Sequence, residues 1–121
     1  MRILVVDDEP IVREVLGECL LADGHEVSSA ESGSEALNRL EANPFDLVIT
    51  DQTMPGMSGD VLAKGIKARL PSLPVFLLTG LGAQVDAEGH APDGIDRVLS
   101  KPISVAALRQ AVASIGPGAP G

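Results

Sequence analysis

Short runs of aliphatic residues alternate along the chain with longer stretches of helical periodicity. Ile3–Val6, Leu47–Ile49 and Val75–Leu78 are continuously apolar, which is typical of strands in a parallel sheet covered on both faces. Val27 and the pair Val98–Leu99 mark two weaker strands, each preceded by an Asp-Gly turn. The pattern therefore predicts five strands.

Helical patterns separate these strands and follow the last one. The first predicted helix begins at Pro10 and places Cys19 on its apolar side, where a buried thiol is expected. Ser32 and Glu35 have the spacing of a capping box and open a second helix. Ser58 is positioned to cap a third, and the spacing of apolar residues from 108 to 115 predicts the last.

Residues 80–94 contain four glycines and a proline where a fourth helix is expected. Helix formation there is disfavoured, so we expect a short, mobile helix near residues 83–88. The order of elements predicts one α/β domain of (βα)₅ type with right-handed crossovers. We expect this domain to cover residues 1–116, and the Gly/Pro-rich residues 117–121 to form a flexible tail or the start of a linker.

Composition excludes several classes of function. A net charge of −8, with two Phe and no Trp or Tyr, disfavours contact with nucleic-acid phosphates and base stacking by this domain. Cys19 is the only cysteine, which excludes an internal disulfide and a multi-cysteine metal site. Neither a signal peptide nor an apolar run long enough to span a membrane is evident. We therefore expect a cytoplasmic protein that does not bind membranes.

Polar side chains follow four of the predicted strands. Asp7 and Asp8 come directly after the first, Asp51 lies two positions beyond Ile49, Thr79 follows the fourth, and Lys101 follows the fifth. Ligands of open α/β sheets bind beyond the carboxyl ends of the strands. A single polar residue after a strand is usually a turn or helix-cap residue. The combination of these five residues at one edge of the sheet, here called the rim, is far more specific for a functional site.

Three carboxylates at one rim repel one another, and a hard cation such as Mg²⁺ relieves that repulsion. An ammonium group from Lys101 and a hydroxyl group from Thr79 add the donors that stabilise a transferring phosphoryl group. One carboxylate would then be the nucleophile and form an acyl phosphate. We favour Asp51, because Asp7 and Asp8 form an adjacent metal-binding pair.

The sequence resembles the response-regulator receiver domain of two-component signalling from residue 2 to about residue 116. The resemblance is carried by VVDDEP at 5–10, ITDQTMPGMSG at 49–59, LLTG at 77–80 and LSKP at 99–102. It implies a flavodoxin-like receiver fold with strand order 2-1-3-4-5. It also implies that a phosphohistidine of a sensor histidine kinase or phosphotransfer domain donates a phosphoryl group, and that the receiver itself catalyses the transfer.

The resemblance also implies roles for single residues. Asp51 would be the phosphoacceptor, and Mg²⁺ would be held by Asp51, by Asp8 directly, by Asp7 largely through water, and by the backbone carbonyl of Thr53. In addition, Thr79 would be the hydroxyl that turns toward the phosphate and Lys101 would pair with it, while the peptide bond before Pro102 would be cis.

Two positions depart from the family pattern. Val98 stands where the family usually has Tyr or Phe, so we expect output through loop and fourth-helix movement rather than through an aromatic switch. Leu81 lies two residues beyond Thr79, where we expect an apolar side chain to hinder water and slow dephosphorylation. The LLTGLG and VLSKP segments resemble receivers of hybrid sensor histidine kinases.

Two other classes of function compete with a phosphoacceptor module. One is a pseudo-receiver that acts as a phosphorylation-independent interaction module. The presence of all five residues of the predicted pocket argues against it: Asp7, Asp8, Asp51, Thr79 and Lys101. The other is a phosphatase of the haloacid-dehalogenase type, which needs a second Asp where this chain has Thr53. We expect no enzymatic activity beyond self-catalysed phosphotransfer and autodephosphorylation, and a monomer or weak homodimer.

Overall fold

Five short strands form the centre of the molecule. The computed structural model describes residues 1–80, 94–101 and 103–115. Within them the strands are β1 (Arg2–Val6), β2 (Glu26–Ala30), β3 (Leu47–Asp51), β4 (Val75–Thr79) and β5 (Arg97–Ser100). All neighbouring pairs are parallel, and the strand order is β2-β1-β3-β4-β5. The predicted order 2-1-3-4-5 is confirmed.

Four helices of the described residues cover the two faces of this sheet. They are α1 (Pro10–Ala22), α2 (Gly33–Ala42), α3 (Gly59–Arg69) and α4 (Val105–Ile115). Because side chains alternate along each strand, one face carries Leu4, Val48 and Leu77, and the other carries Ile3, Ile49 and Phe76. The alternation gives the domain two cores rather than one.

The first core lies between the sheet and the pair α2 and α3, and the second lies between the sheet and the pair α1 and α4. Every residue of β3 and β4 is buried, including the apolar runs Leu47–Ile49 and Val75–Leu78 that predicted these strands. Strand β2 is an edge strand in which only Ala30 is fully buried, and this explains its weak sequence signal. Helices on both faces confirm the doubly wound α/β architecture.

Two strands extend further than the apolar runs indicated. Asp51 is the last residue of β3 and Thr79 is the last residue of β4, although both were expected to follow their strands. Backbone pairing continues past the apolar residues because Asp51 lies in register with Leu78, and Thr79 with Ser100. The two side chains are thus fixed by the sheet itself and not by a loop.

Helix α2 begins as predicted, since the Ser32 hydroxyl oxygen accepts a hydrogen bond from the Glu35 amide at 3.1 Å. In a complete capping box the Glu35 carboxylate would accept a hydrogen bond from the Ser32 amide. Here this carboxylate instead forms an ion pair with Arg39, also at 3.1 Å. Cys19 is half-buried and packs against the second core. The predicted fourth helix, the tail at 117–121, Leu81 and Pro102 lie outside the described residues.

Candidate functional site

The carboxyl ends of β1 and β3 bring three carboxylates together. Asp7 and Asp8 follow β1 directly, and Asp51 ends the adjacent strand β3. One oxygen from each of the three carboxylates lies within 4.8 Å of the others. Asp7 and Asp51 are buried while Asp8 is exposed. The cluster is therefore open to solvent on the side of Asp8 and closed on the side of the sheet.

In the part of the chain that the structure describes, three hydrogen bonds hold Asp7, and only one of its two carboxylate oxygens takes part in them. Its amide donates to the Ala30 carbonyl at 3.1 Å, and its Oδ1 accepts from the Glu9 amide at 2.9 Å. The Arg13 guanidinium donates to the Asp7 carbonyl at 2.6 Å. Among the described residues, the buried Oδ2 has no hydrogen-bond partner. Burial, together with the negative charges of Asp51 and Asp8, raises the pKa of Asp7.

Lys101 supplies the positive charge of the rim. Its Nζ lies 2.7 Å from Oδ1 of Asp51 and 3.5 Å from Oδ2 of Asp7. The latter separation is an ion-pair contact but too long for a hydrogen bond. Partial burial acts to lower the pKa of Lys101, but the hydrogen bond to Asp51 and the attraction of Asp7 and Asp51 outweigh it, so the pKa is raised. Lys101 is consequently a permanent ammonium at neutral pH.

Thr79 occupies the same rim from β4. It is buried, and its carbonyl accepts a hydrogen bond from the Lys101 amide at 2.9 Å. That bond ties the end of β4 to the residue that follows β5. The structure thus brings Asp7, Asp8, Asp51, Thr79 and Lys101 to one edge of the sheet, where the sequence placed them.

Thr53 and Val98 differ from these five residues in their surroundings. Thr53 is exposed in the loop between β3 and α3, two residues from Asp51. Val98 is half-buried in β5, lies in register with Leu77 and packs against the first core. Its side chain is therefore part of the packing between the sheet and α3, rather than part of the polar rim.

The donor set of the cluster fits a small hard cation. Mg²⁺ prefers oxygen ligands and is held by one or two carboxylates, with waters in the remaining positions. The orphaned Oδ2 of buried Asp7 has a negative charge that one ion pair at 3.5 Å compensates incompletely. A cation bound by Asp7, Asp8 and Asp51 would remove that deficit.

Gln52 is a feature of this site that the sequence did not reveal. Ser58 stands at the N-cap position of α3, but its hydroxyl makes no capping hydrogen bond and instead donates to Oδ1 of Asp60 at 2.6 Å. The Asp60 amide, in the first turn of α3, donates to the side-chain oxygen of Gln52 at 3.0 Å. Ser58 thus lies at the predicted N-cap position of α3, but its side chain does not cap the helix as predicted. The hydrogen bond from the Ser58 hydroxyl lowers the pKa of Asp60, and the opposing effect of burial is smaller than that of Ser58.

The fold and the arrangement of the rim agree with the comparison with known families. A family model described as the response regulator receiver domain matches residues 3–113. The chain belongs to this family. The receiver domain described here contains, among its described residues, no helix long and apolar enough to cross a membrane.

Two groups of curated relatives are similar to this receiver domain. The response regulator protein FleR of Pseudomonas aeruginosa is 40% identical over 112 residues, which are 93% of this chain and 24% of FleR. The sensor histidine kinase RcsC of Salmonella typhi is 38% identical over 113 residues, which are 93% of this chain and 12% of RcsC. The chain thus spans a quarter or less of the length of these relatives.

Solved structures show the same architecture. The response regulator TrrA of Thermotoga maritima, solved in complex with Mg²⁺ and BeF, has a TM-score of 0.85 and 36% identity, covering 94% of this chain and 97% of that one. The receiver domain of the hybrid histidine kinase CckA has a TM-score of 0.80 and 36% identity, covering 95% and 98%. Receivers of regulators and of hybrid kinases are therefore both among the structural neighbours.

Proposed function

We propose that this receiver domain accepts a phosphoryl group on Asp51 in a Mg²⁺-dependent transfer that it catalyses itself. The observation that carries the proposal is the position of the Asp51 carboxylate: it is buried in a cluster of three carboxylates and pairs with Lys101 at 2.7 Å. A buried nucleophile whose charge is partly balanced by a fixed cation suits phosphoryl transfer, in which positioning and charge neutralisation supply most of the catalysis.

In the proposed reaction, an oxygen of Asp51 attacks the phosphorus of a phosphohistidine. The phosphorus–nitrogen bond breaks, the imidazole leaves with the bonding electron pair and takes up a proton, and an acyl phosphate forms on Asp51. Lys101 already lies at hydrogen-bond distance from the acceptor carboxylate. Its ammonium group can therefore contact a phosphoryl oxygen after only a small movement of the side chain, and buried Thr79 would offer a hydroxyl donor.

Asp7, Asp8 and Asp51, together with the Thr53 carbonyl, would hold the Mg²⁺, which when bound neutralises negative charge on the transferring group. Asp7 is suited to this task because its Oδ1 is fixed by the Glu9 amide while Oδ2 is left for the site. The chain's own contribution is to bring an oxygen of each of three carboxylates within 4.8 Å of the others before any cation arrives.

The donor in this proposal is a sensor histidine kinase or a phosphotransfer domain, and the receiver signals by a change of conformation in the cytoplasm as a monomer or weak homodimer. The similarity to RcsC and to the CckA receiver supports a hybrid-kinase context, and the similarity to FleR supports a separate regulator. The competing pseudo-receiver function has no support from the pocket, since every residue that the phosphoacceptor function needs is present.

Intact-mass measurement after incubation with Mg²⁺ and acetyl phosphate tests the proposal. The wild type is expected to gain the mass of one phosphoryl group, and Asp51→Asn is expected to gain none. Asp23→Asn is the matched control. Asp23 pairs with Arg109 at 2.9 Å and lies at the C-terminal end of α1, whereas the rim residues Asp7 and Asp8 precede the other end of that helix. This variant should be labelled like the wild type. An unlabelled wild type would favour the pseudo-receiver.

A further inference from the structure

The main chain of Gln52 closes the loop that carries Thr53. Its amide donates to the Leu78 carbonyl of β4 at 2.9 Å, and its carbonyl accepts from the Gly59 amide at 2.9 Å. The loop of residues 53–58 therefore leaves Gln52 and returns to it. Any shift of Gln52 moves both ends of this loop, because one end is bonded covalently and the other by the hydrogen bond from Gly59.

The side chain of Gln52 adds a second hydrogen bond between the end of β3 and the start of α3. Its Oε1 accepts from the Asp60 amide at 3.0 Å and so satisfies an amide of the first turn of α3, a group without a partner inside the helix. Ser58, which by position would cap the helix, donates its hydroxyl to the Asp60 carboxylate instead. Gln52 thus performs the capping from the strand side of the loop.

The start of α3 lies against the backbone of the acceptor residue. A Cβ atom at Gly59 would come within 2.3 Å of the Asp51 carbonyl oxygen, so only glycine permits this approach. The first turn of α3, the end of β3 and the loop between them therefore form one packed unit. The side-chain amide of Gln52 connects the end of β3 to the first turn of α3 within this unit.

We propose that Gln52 is a positioning residue for the metal site: its side chain fixes α3 to the end of β3 and thereby holds the loop on which Thr53 would present its carbonyl. This inference rests on the proposed function, since it concerns the same Mg²⁺ site. Gln52 itself touches neither the metal nor the phosphoryl group. It acts through the backbone of Asp51 and Thr53, on either side of it in the sequence.

Calorimetric titration of Gln52→Met with Mg²⁺ tests the inference. Methionine has a side chain of similar length without the amide oxygen, so the hydrogen bond from Asp60 is lost with little change in volume. We expect the dissociation constant for Mg²⁺ to rise about tenfold, the lower end of the effect of removing groups that orient metal ligands. Labelling of Asp51 by acetyl phosphate should need correspondingly more Mg²⁺ and should reach the wild-type extent at saturation.

Ser104→Ala is the matched control. The Ser104 hydroxyl oxygen accepts from the Ala107 amide at 3.0 Å, so this variant loses the same kind of bond at the start of α4. It should lose stability without a change in Mg²⁺ affinity. If Gln52→Met does not fold, Gln52→Asn, whose amide is one methylene shorter, takes its place. Wild-type Mg²⁺ affinity in a folded Gln52 variant overturns this inference alone, whereas a wild type that binds no Mg²⁺ overturns the proposed function and this inference with it.

Discussion

At the scale of single residues, Asp7 shows how the proposed metal site costs stability. Its carboxylate is fully buried, one oxygen lacks a hydrogen bond among the described residues, and two other carboxylates lie nearby. A buried charge without full compensation destabilises the folded state, and a cation at the proposed metal site would supply the missing compensation. Lys101 compensates part of that charge but contacts Asp51 more closely.

Asp7→Asn is therefore expected to stabilise the metal-free protein at neutral pH. The pKa of Asp7 is raised in the folded state, chiefly by burial, so ionisation opposes folding and the penalty is complete above that pKa. The penalty shrinks as the pH falls from that pKa toward the ordinary aspartate value and vanishes below the latter. We expect the free energy of unfolding to increase by about 1 kcal/mol, a typical size for a single substitution. Urea unfolding in EDTA, followed by circular dichroism, measures it.

The advantage of Asp7→Asn should shrink as the pH is lowered, because the wild-type carboxyl group then becomes neutral as well. Asp46→Asn is a suitable comparison, since Asp46 accepts a hydrogen bond from the Arg2 amide at 2.7 Å at an exposed position and is expected to lose stability on substitution. A loss of stability in metal-free Asp7→Asn at pH 7 would contradict this reading of the site.

At the scale of elements, α3 carries two glycines in opposite situations. A Cβ atom at Gly59 would lie 2.3 Å from the Asp51 carbonyl oxygen and 2.7 Å from Leu77 Cδ1, whereas Gly65 has nothing within 4 Å of that position. Gly59 is thus required by the close packing of α3 against β3 and β4. The other only adds conformational freedom to the unfolded chain.

Gly59→Ala should destabilise the fold by about 2 kcal/mol, within the range that overpacking costs, and should slow phosphorylation by displacing Asp51. Gly65→Ala should stabilise the same helix by about 0.5–1 kcal/mol and leave phosphorylation unchanged. Denaturant unfolding and acetyl phosphate labelling of the two variants measure both effects. Equal effects of the two substitutions on stability and labelling would show that α3 does not pack tightly against the end of β3.

At the scale of the whole molecule, the proposed metal site links folding to Mg²⁺. A ligand that binds only the folded state stabilises it by mass action, and a concentration ten times the dissociation constant contributes about 1.4 kcal/mol. The melting temperature should rise by about 5 °C for a domain of this size, and EDTA should reverse the rise. A melting temperature that stays constant over the whole range of Mg²⁺ concentrations would argue against a cation at the carboxylate cluster.

The same stabilisation should depend on pH. Metal binding needs ionised carboxylates, so the Mg²⁺-induced rise is complete above the folded-state pKa values and is lost as the pH falls through them. Because the pKa of Asp7 is raised, this loss should begin at a higher pH than for an ordinary aspartate. Melting curves with Mg²⁺ and with EDTA, recorded at several acidic pH values, measure how the Mg²⁺-induced rise in melting temperature depends on pH.

The sequence predicted β1, β3 and β4 well because a fully covered strand needs an uninterrupted apolar run. It located β2 only around Val27, since an edge strand with one fully buried residue requires no such run. The candidate site followed from position alone, because parallel strands deliver the residues at their carboxyl ends to one edge. Gln52 was missed because its partner is a backbone amide eight residues away, and backbone donors leave no mark in a sequence.

What the sequence by itself determined is the order of elements, the family and the residue types at the rim, since these depend on local patterns and motifs. The tertiary structure alone decided how the charges are shared: Lys101 pairs with Asp51 at 2.7 Å, and Asp7 has a buried oxygen to which no residue in the described part of the chain donates a hydrogen bond. It also decided that Val98 packs against the first core and that Gln52 caps α3. These contacts depend on strand register and on the packing of segments distant in sequence, and both arise only when the sheet and its helices assemble.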